Sequence, residues 1–370
     1  MKVRFLSHVS APDIRRGAVF WNRSDLEPGE ALWREGDEAD ELAILSSGEL
    51  IATNRNVEVG RISAGELVGE ASIFLGSDTR SATLTALEPS HVLVLSLRGL
   101  RRLRQASSPL YDALLAQALV TLVRRVRATD LRIARIALGE RAAPARKEPG
   151  VLARMWRALR PGVPTTVCPP LRPLLRALPV LHAVPDEMLS TLEPHFQPQA
   201  IEEGEVIFLE GETGAAAYLI AEGHVDVLRH VRGERAERLA TLRPGDLFGA
   251  NTLVEKGART ASCVAAEPTW LYRVDAEGFH APKGEAGRLW RESVVATLAT
   301  QLRSANAVLN RVADPLDEAI AADDESSFQQ LMAASGLLEA LPSVEEADLE
   351  EIKVVEDETP RRLQGRNTLY

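Results

Sequence analysis

Cysteine is scarce in this 370-residue chain: Cys168 and Cys263 are the only two. That is too few for a disulfide framework or a cysteine-based zinc site, and it suits a reducing compartment, so a cytoplasmic location is expected. Long apolar runs are lacking as well. No stretch of about eighteen apolar residues occurs, so no membrane insertion is expected. The first residues, MKVRFLSHVSAPDIRRG, have neither the apolar stretch nor the small-residue cleavage site of a secretory leader. Lysine is nearly absent, with five against thirty-eight arginines, a bias that with abundant alanine and leucine points to a GC-rich bacterial genome. Catalytic signatures are missing too. There is no Walker-type glycine loop, no His-Glu-x-x-His and no Gly-x-Ser-x-Gly. The seven histidines are scattered without metal-ligand spacing. The expectation is a chain that is no enzyme and holds no metal.

What the chain does have is unevenly distributed charge. The net charge of −10 conceals a segment, residues 101–180, with sixteen basic and four acidic side chains, and another, residues 313–358, with fifteen acids and one lysine. Such blocks are solvated faces and disordered tails, or they meet each other or an oppositely charged partner protein. An acidic tail competes for any basic surface, which disfavours binding to DNA.

The chain also repeats itself. GEALWREGDEADELAILSSGEL (residues 29–50) aligns with GEVIFLEGETGAAAYLIAEGHV (residues 204–225). Gly29, Gly36 and Gly48 recur at one constant interval as Gly204, Gly211 and Gly223; Gly65 and Gly69 recur at a slightly longer interval as Gly245 and Gly249. Between these turn glycines lie short apolar or alternating runs of strand length, such as residues 42–45, 49–53, 57–62, 92–95, 217–220 and 224–228. Many short strands with regular turns predict a jelly roll. Each β block leads into a helical stripe. The first, within 108–138, carries Leu115, Leu119, Leu122, Val126, Thr129, Ile133 and Ile136. The second, within 286–320, carries Val295, Leu298, Leu302, Ala305, Leu309, Val312, Leu316 and Ile320. Each stripe packs on its own domain, or the helices pair two copies of the chain into a homodimer.

The expected organisation is therefore mainly β with α: two tandem β-roll domains, residues 1–138 and 176–312, each followed by a long helix. A Pro/Arg-rich linker, 139–175, joins them, and an acidic tail, 313–370, follows. Within the linker, VLARMWRALR has the pattern of a short basic amphipathic helix. LRALPVLHAVPDEMLSTLEPHF predicts a helix entering the second roll, capped by Asp186. In the tail, Phe328, Leu331, Met332, Leu337, Leu338 and Leu341 fit one small amphipathic helix.

The segment with chemical meaning is LVGEASIFLGSDTRSATLTA (residues 67–86): a glycine–acid pair, then arginine, a hydroxyl residue and alanine beginning ten residues after the acid. It resembles the phosphate-binding cassette of the cyclic-nucleotide-binding domain family, in particular that of bacterial catabolite activator proteins. The resemblance covers roughly residues 18–138 and 176–312. It implies that Arg80 forks onto a cyclic phosphate, a geometry lysine reproduces poorly. Ser81 adds a hydroxyl and an N–H, and N–H groups near Glu70 and Ala71 open a short helix. Glu70 accepts from the ribose 2′-hydroxyl, and Gly69 lets the backbone approach the sugar. Val68 stands where the family usually has an aromatic residue. The family also places helices before the first strand, for which the first seventeen residues look too short and irregular.

The second cassette, LFGANTLVEKGARTASCVAA (residues 247–266), keeps Gly249, Arg259 and Thr260 but has Ala250 in place of the ribose-binding acid. It is expected to bind weakly, not at all, or to another ligand. The tandem layout also resembles the regulatory subunit of cyclic-AMP-dependent protein kinase, though the chain enters its first roll almost at once, without room for a preceding dimerisation module. No basic recognition helix of a helix-turn-helix follows the second roll. The functional expectation is a sensor of cyclic AMP or cyclic GMP that signals to an unidentified protein partner. The rival is a ligand-independent scaffold that uses the rolls as interaction surfaces.

Overall fold

The computed structural model describes residues 4–137, 167–230, 236–255 and 257–312. The linker helix and tail helix expected from sequence lie outside these residues. Each alternating run becomes an antiparallel strand. The first roll comprises a 3-10 turn (Arg4–Leu6), α1 (Ala11–Ala18), β1 (Trp21–Leu26), β2 (Ala31–Trp33), β3 (Glu41–Ser47), β4 (Glu49–Asn54), β5 (Val57–Ser63), β6 (Leu67–Val68), α2 (Glu70–Leu75), β7 (Thr83–Ala86), β8 (Ser90–Ser96), α3 (Leu97–Gln105) and α4 (Pro109–Ala137). Its two sheets have the orders β1-β8-β3-β6 and β2-β7-β4-β5. Leu45, Leu50, Ile62, Val68, Leu84 and Val92 from both sheets fill the space between them.

The second roll repeats the design. It comprises α5 (Leu171–Ala177), α6 (Asp186–Leu192), β9 (Gln197–Ile201), β10 (Val206–Phe208), β11 (Ala216–Glu222), β12 (Val225–His230), β13 (Ala236–Leu242), β14 (Leu247–Phe248), α7 (Asn251–Val254), β15 (Ser262–Ala265), β16 (Thr269–Asp275), α8 (Ala276–His280) and α9 (Gly284–Val312). Its sheets are β14-β11-β16-β9 and β10-β15-β12-β13, the same strand orders as in the first roll. The repeated glycines explain why both copies turn alike. Gly48 sits at φ 95° between β3 and β4, where a Cβ would come within 2.1 Å of the Ser90 hydroxyl; Gly223 sits at φ 85°, where a Cβ would come within 2.4 Å of the Thr269 hydroxyl. A side chain at either corner meets both backbone strain and a clash.

Two local expectations need correction. The N-terminal segment does hold a helix, α1: the Ser10 hydroxyl accepts the Asp13 N–H at 3.2 Å, and proline sits in the first turn, where its missing N–H costs nothing. The expected single helix entering the second roll is broken. Pro179 and Pro185 separate α5, a 3-10 turn (Leu181–Ala183) and α6. Asp186 is the first residue of α6, and the cap position is Pro185, with no side-chain cap bond. Among the regular caps, Ser96 accepts the Gly99 N–H at 3.2 Å and starts α3. Ser96→Ala is expected to cost about 1 kcal/mol, read as a lower denaturant midpoint at unchanged slope.

The two long helices meet. α4 and α9 run parallel: Tyr111 and Asp112 bond Glu292 and Arg288 near one end, and Thr129 bonds Asn306 further along. Leu115, Leu119, Leu122 and Val126 of one stripe, with Val295, Leu298 and Leu302 of the other, belong to one core cluster that also takes in residues of both rolls. The stripes thus face each other within a single chain, and not solely their own domains. α9 also rests on α2 of the first roll, and α4 reaches α7 of the second.

Candidate functional site

The first cassette opens at Gly69, which holds φ 85° between β6 and α2. A Cβ there would come within 3.0 Å of the Arg80 Nη1, the Glu41 carbonyl and the Trp33 ring. Only a glycine lets these three groups close on the turn. Arg80 is tied into the loop through its backbone, its N–H donating to the Asp37 carbonyl at 2.8 Å and its carbonyl accepting from the Gly36 N–H at 3.0 Å. Its side chain is 2 % exposed, with Nη2 3.9 Å from an Asp40 carboxylate oxygen. The guanidinium donates from Nη1 to the Glu41 carbonyl at 2.8 Å and lies 3.7 Å over the Trp33 ring. Its Nε and Nη2 have no hydrogen-bond partner. Burial pulls its pKa down, and Asp40, Glu41 and Asp37 oppose that pull. Arginine starts so high that it keeps its charge.

Arg80, Ser81, Gly69 and Ala71 line one cavity of about 270 Å³, together with Trp33 and Arg125. That volume sits near the lower end of small-molecule sites. Leu302 and Asn306 of α9 also line it, so the second roll's helix forms part of the first roll's site. Glu70, expected from the resemblance to accept from a ribose hydroxyl, is not among the residues that line this cavity. Its carboxylate is fully buried, and Oε1 takes a 2.7 Å bond from Arg125 of α4. Arg125 in turn donates to the Leu67 carbonyl at 3.1 Å. The other carboxylate oxygen, Oε2, has no partner. Burial raises the Glu70 pKa and Arg125 works against that rise. A buried acceptor without a donor is rare enough to point to a missing group.

Arg125, Leu302 and Asn306 were not singled out from sequence as residues of the site. Arg125 lies far along the chain from Glu70, and Asn306 belongs to the other half of the chain, so no local motif contains them. The available signal was the helical stripe: Arg125 precedes the stripe residue Val126, and Leu302 is itself a stripe residue.

In the second roll, Gly249 holds φ 73°, and Arg259 again lies buried beneath the cassette. Arg259 donates from Nη1 to the Gly249 carbonyl at 2.9 Å and from Nη2 to the Ala216 carbonyl at 2.8 Å. It lies 4.0 Å over the Phe208 ring. Thr260 follows it, half-buried. Ala250, in the place of Glu70, is buried. Val68, which lines the first cavity, is replaced by Phe248. Phe248 stacks on Tyr218 with centroids 5.4 Å apart and lies 6.0 Å from Phe208. The roll interior is therefore bulkier here than in the first copy. Among the described residues no cluster of metal-ligating side chains occurs, and no single helix is long and apolar enough to cross a membrane.

Both copies of the repeat match a known family. Residues 23–107 and 198–281 each match the family model of the cyclic nucleotide-binding domain. The cyclic AMP receptor protein of Thermus thermophilus is 34% identical over 136 residues, which is 37% of this chain and 62% of that protein. A cGMP-dependent protein kinase of Drosophila melanogaster, isozyme 1, is 22% identical over 267 residues, 71% of this chain and 27% of the kinase. The chain thus spans less than two thirds of the length of either relative. The regulatory domain of Toxoplasma gondii PKA, solved with cAMP, aligns with 77% of this chain and 89% of its own at 18% identity and a TM-score of 0.28.

Proposed function

Since this chain carries two cyclic nucleotide-binding domains, we propose that it is a cyclic-nucleotide-responsive regulatory protein whose ligand sits in the first roll. One observation carries the reading: a buried guanidinium with two unpartnered nitrogens, Arg80, lines the cavity, and the same cassette holds a buried carboxylate with one unpartnered oxygen, Glu70. A cyclic phosphate offers the anion the guanidinium lacks, through charge-assisted bonds. Its ribose hydroxyl offers the donor that Glu70 Oε2 lacks. Gln117, Thr121 and Asn306, also along the cavity, present amide and hydroxyl groups to a base edge. Cyclic AMP is the first candidate and cyclic GMP the second.

The path to an output begins at Glu70. A hydroxyl on its carboxylate changes how firmly the same group holds Arg125, and Arg125 belongs to α4, the helix packed on α9. Ligand shifts the balance between arrangements of these helices only by the difference in its affinity for them. A tenfold difference corresponds to about 1.4 kcal/mol, enough to alter engagement of a protein partner. The chain itself performs no catalysis in this reading.

Calorimetric titration of the intact chain with cyclic AMP and with cyclic GMP tests it. The expected result is saturable binding of one nucleotide per chain. Absence of heat with both nucleotides overturns the proposal and favours two rolls serving as ligand-independent assembly surfaces.

A further inference from the structure

The second cassette has lost more acid than the Glu70 position alone. Aligned through the repeated glycines, Asp40, Glu41 and Glu70 of the first roll correspond to Ala215, Ala216 and Ala250. The backbone bears out the alignment: the Arg80 and Arg259 guanidiniums donate to the carbonyls of Glu41 and Ala216 respectively. The arginine remains, while the two carboxylates beside it and the one that pairs with Arg125 have become methyl groups.

A second arginine then arrives from the other roll. Arg127 of α4 lies against the second cassette, close enough that a Cβ on Gly257 would come within 2.8 Å of its Nη1. Counted from the first residue of each helix, Pro109 and Gly284, Arg127 holds the same place in α4 as Leu302 holds in α9. The position from which α9 offers a leucine to the first cavity is the one from which α4 offers a guanidinium to the second cassette. Gly249 and Gly214 flank Arg259 in the same close manner, their would-be Cβ atoms 2.7 and 3.3 Å from its Nη1 and Nη2.

The two guanidiniums repel each other, and burial and Arg127 both depress the Arg259 pKa while Glu212 supports it. Nε of Arg259 and both Nε and Nη2 of Arg127 are buried without a hydrogen-bond acceptor. Among the described residues, neither arginine has a carboxylate within 4 Å; the nearby Arg124 takes up Glu255 at 2.8 Å. Buried cations require a counter-charge, and among the described residues no carboxylate pairs directly with either guanidinium.

We infer that the second cassette, completed by Arg127 from the first roll, is a binding site for a small tetrahedral dianion, inorganic phosphate or the terminal phosphate of a phosphomonoester, in place of a cyclic nucleotide. A dianion answers two fixed positive charges where the cyclic monoanion answers one. The missing Glu70 equivalent, Ala250, removes the acceptor provided for a sugar hydroxyl. Because the site joins α4 to the second roll, its occupancy stabilises the contact between the two halves of the chain. The inference does not depend on what the first roll binds.

The test is titration of the intact chain with sodium phosphate at neutral pH against chloride of equal ionic strength, followed by calorimetry and by thermal unfolding, with 5′-AMP in a parallel arm. Phosphate is expected to bind saturably and to raise the unfolding temperature. A stronger effect of 5′-AMP identifies the phosphomonoester as the occupant, and an equal or weaker one identifies free phosphate. Ala215→Asp, an exposed position, restores the counter-ion of the first roll, and Arg127→Gln removes one donor. Each is expected to weaken phosphate binding about tenfold, while Arg80→Ala leaves it in place. Absence of saturable binding overturns the inference. So does binding equal in wild type, Ala215→Asp and Arg127→Gln, which is an adventitious ion only, or complete loss in Arg80→Ala, which places the phosphate in the first cassette.

Discussion

Replacing Glu292 with alanine is expected to lower stability by about 3 kcal/mol and the unfolding temperature by roughly 5–10 °C. Glu292, on α9, is 7 % exposed. It accepts from Arg104 Nε at 2.8 Å and Nη2 at 3.1 Å, and from the Tyr111 hydroxyl at 2.6 Å. Arg104 also pairs with Glu285 at 2.9 Å, and Arg288 ties Glu285 to Asp112. These bonds join the end of α3 and the start of α4 to the first half of α9. The Glu292 carboxylate raises the pKa of Arg104, and it adds to the burial that raises that of Tyr111. Removing it leaves a buried phenol without an acceptor and a guanidinium half-paired, and that penalty exceeds what an exposed ion pair contributes. Glu292→Gln keeps one acceptor and is expected to lose less. A cycle with Arg104→Ala decides whether the pair acts as a unit. Additive effects, or a shift below about 1 °C for the single variant, would show that the helices are held by their apolar stripes alone.

The second large effect concerns Arg80. Arg80→Ala is expected to weaken cyclic-nucleotide binding by at least about a hundredfold, since two charge-assisted bonds to the phosphate are lost at roughly 1.5–3 kcal/mol each. The structural cost is smaller, because the native guanidinium already leaves Nε and Nη2 unpartnered. Arg80→Lys returns the charge without the fork and should recover only part of the affinity. Arg259→Ala, in the other roll, should leave nucleotide affinity near that of the native chain. Unchanged affinity in Arg80→Ala, with unfolding intact, would remove this cassette from consideration as the nucleotide site.

Both predictions draw on features of different visibility in the sequence. The rolls were legible because their signals are local: turn glycines such as Gly48 and Gly223 sit beside the strands they orient, and alternation assigns the faces. Arg80 and Gly69 were legible for the same reason, as members of one short segment. The partner of each helical stripe was not, since Leu122 and Leu298 would show the same spacing against their own roll, a second copy or each other. Arg125 was hidden by distance along the chain, and with it the fact that Glu70 is already engaged. α1 was missed because eight residues carry too little periodicity, although Ser10 and Pro12 are ordinary start signals. The broken entry to the second roll was misread because an apolar spacing was followed across Pro179 and Pro185, which interrupt it. The loss of Asp40 and Glu41 in the second copy was visible in the alignment itself, at Ala215 and Ala216. Its meaning depended on Arg127, which only the fold brings near.

The parallel embrace of α4 and α9 has a consequence for how the response depends on concentration. Two halves tethered in one polypeptide face each other at an effective concentration that dilution cannot change. Whatever passes from the first cassette through Arg125 to the opposite half does so by an intramolecular step. Its midpoint should therefore be the same in a cell holding few copies of the chain as in one crowded with them.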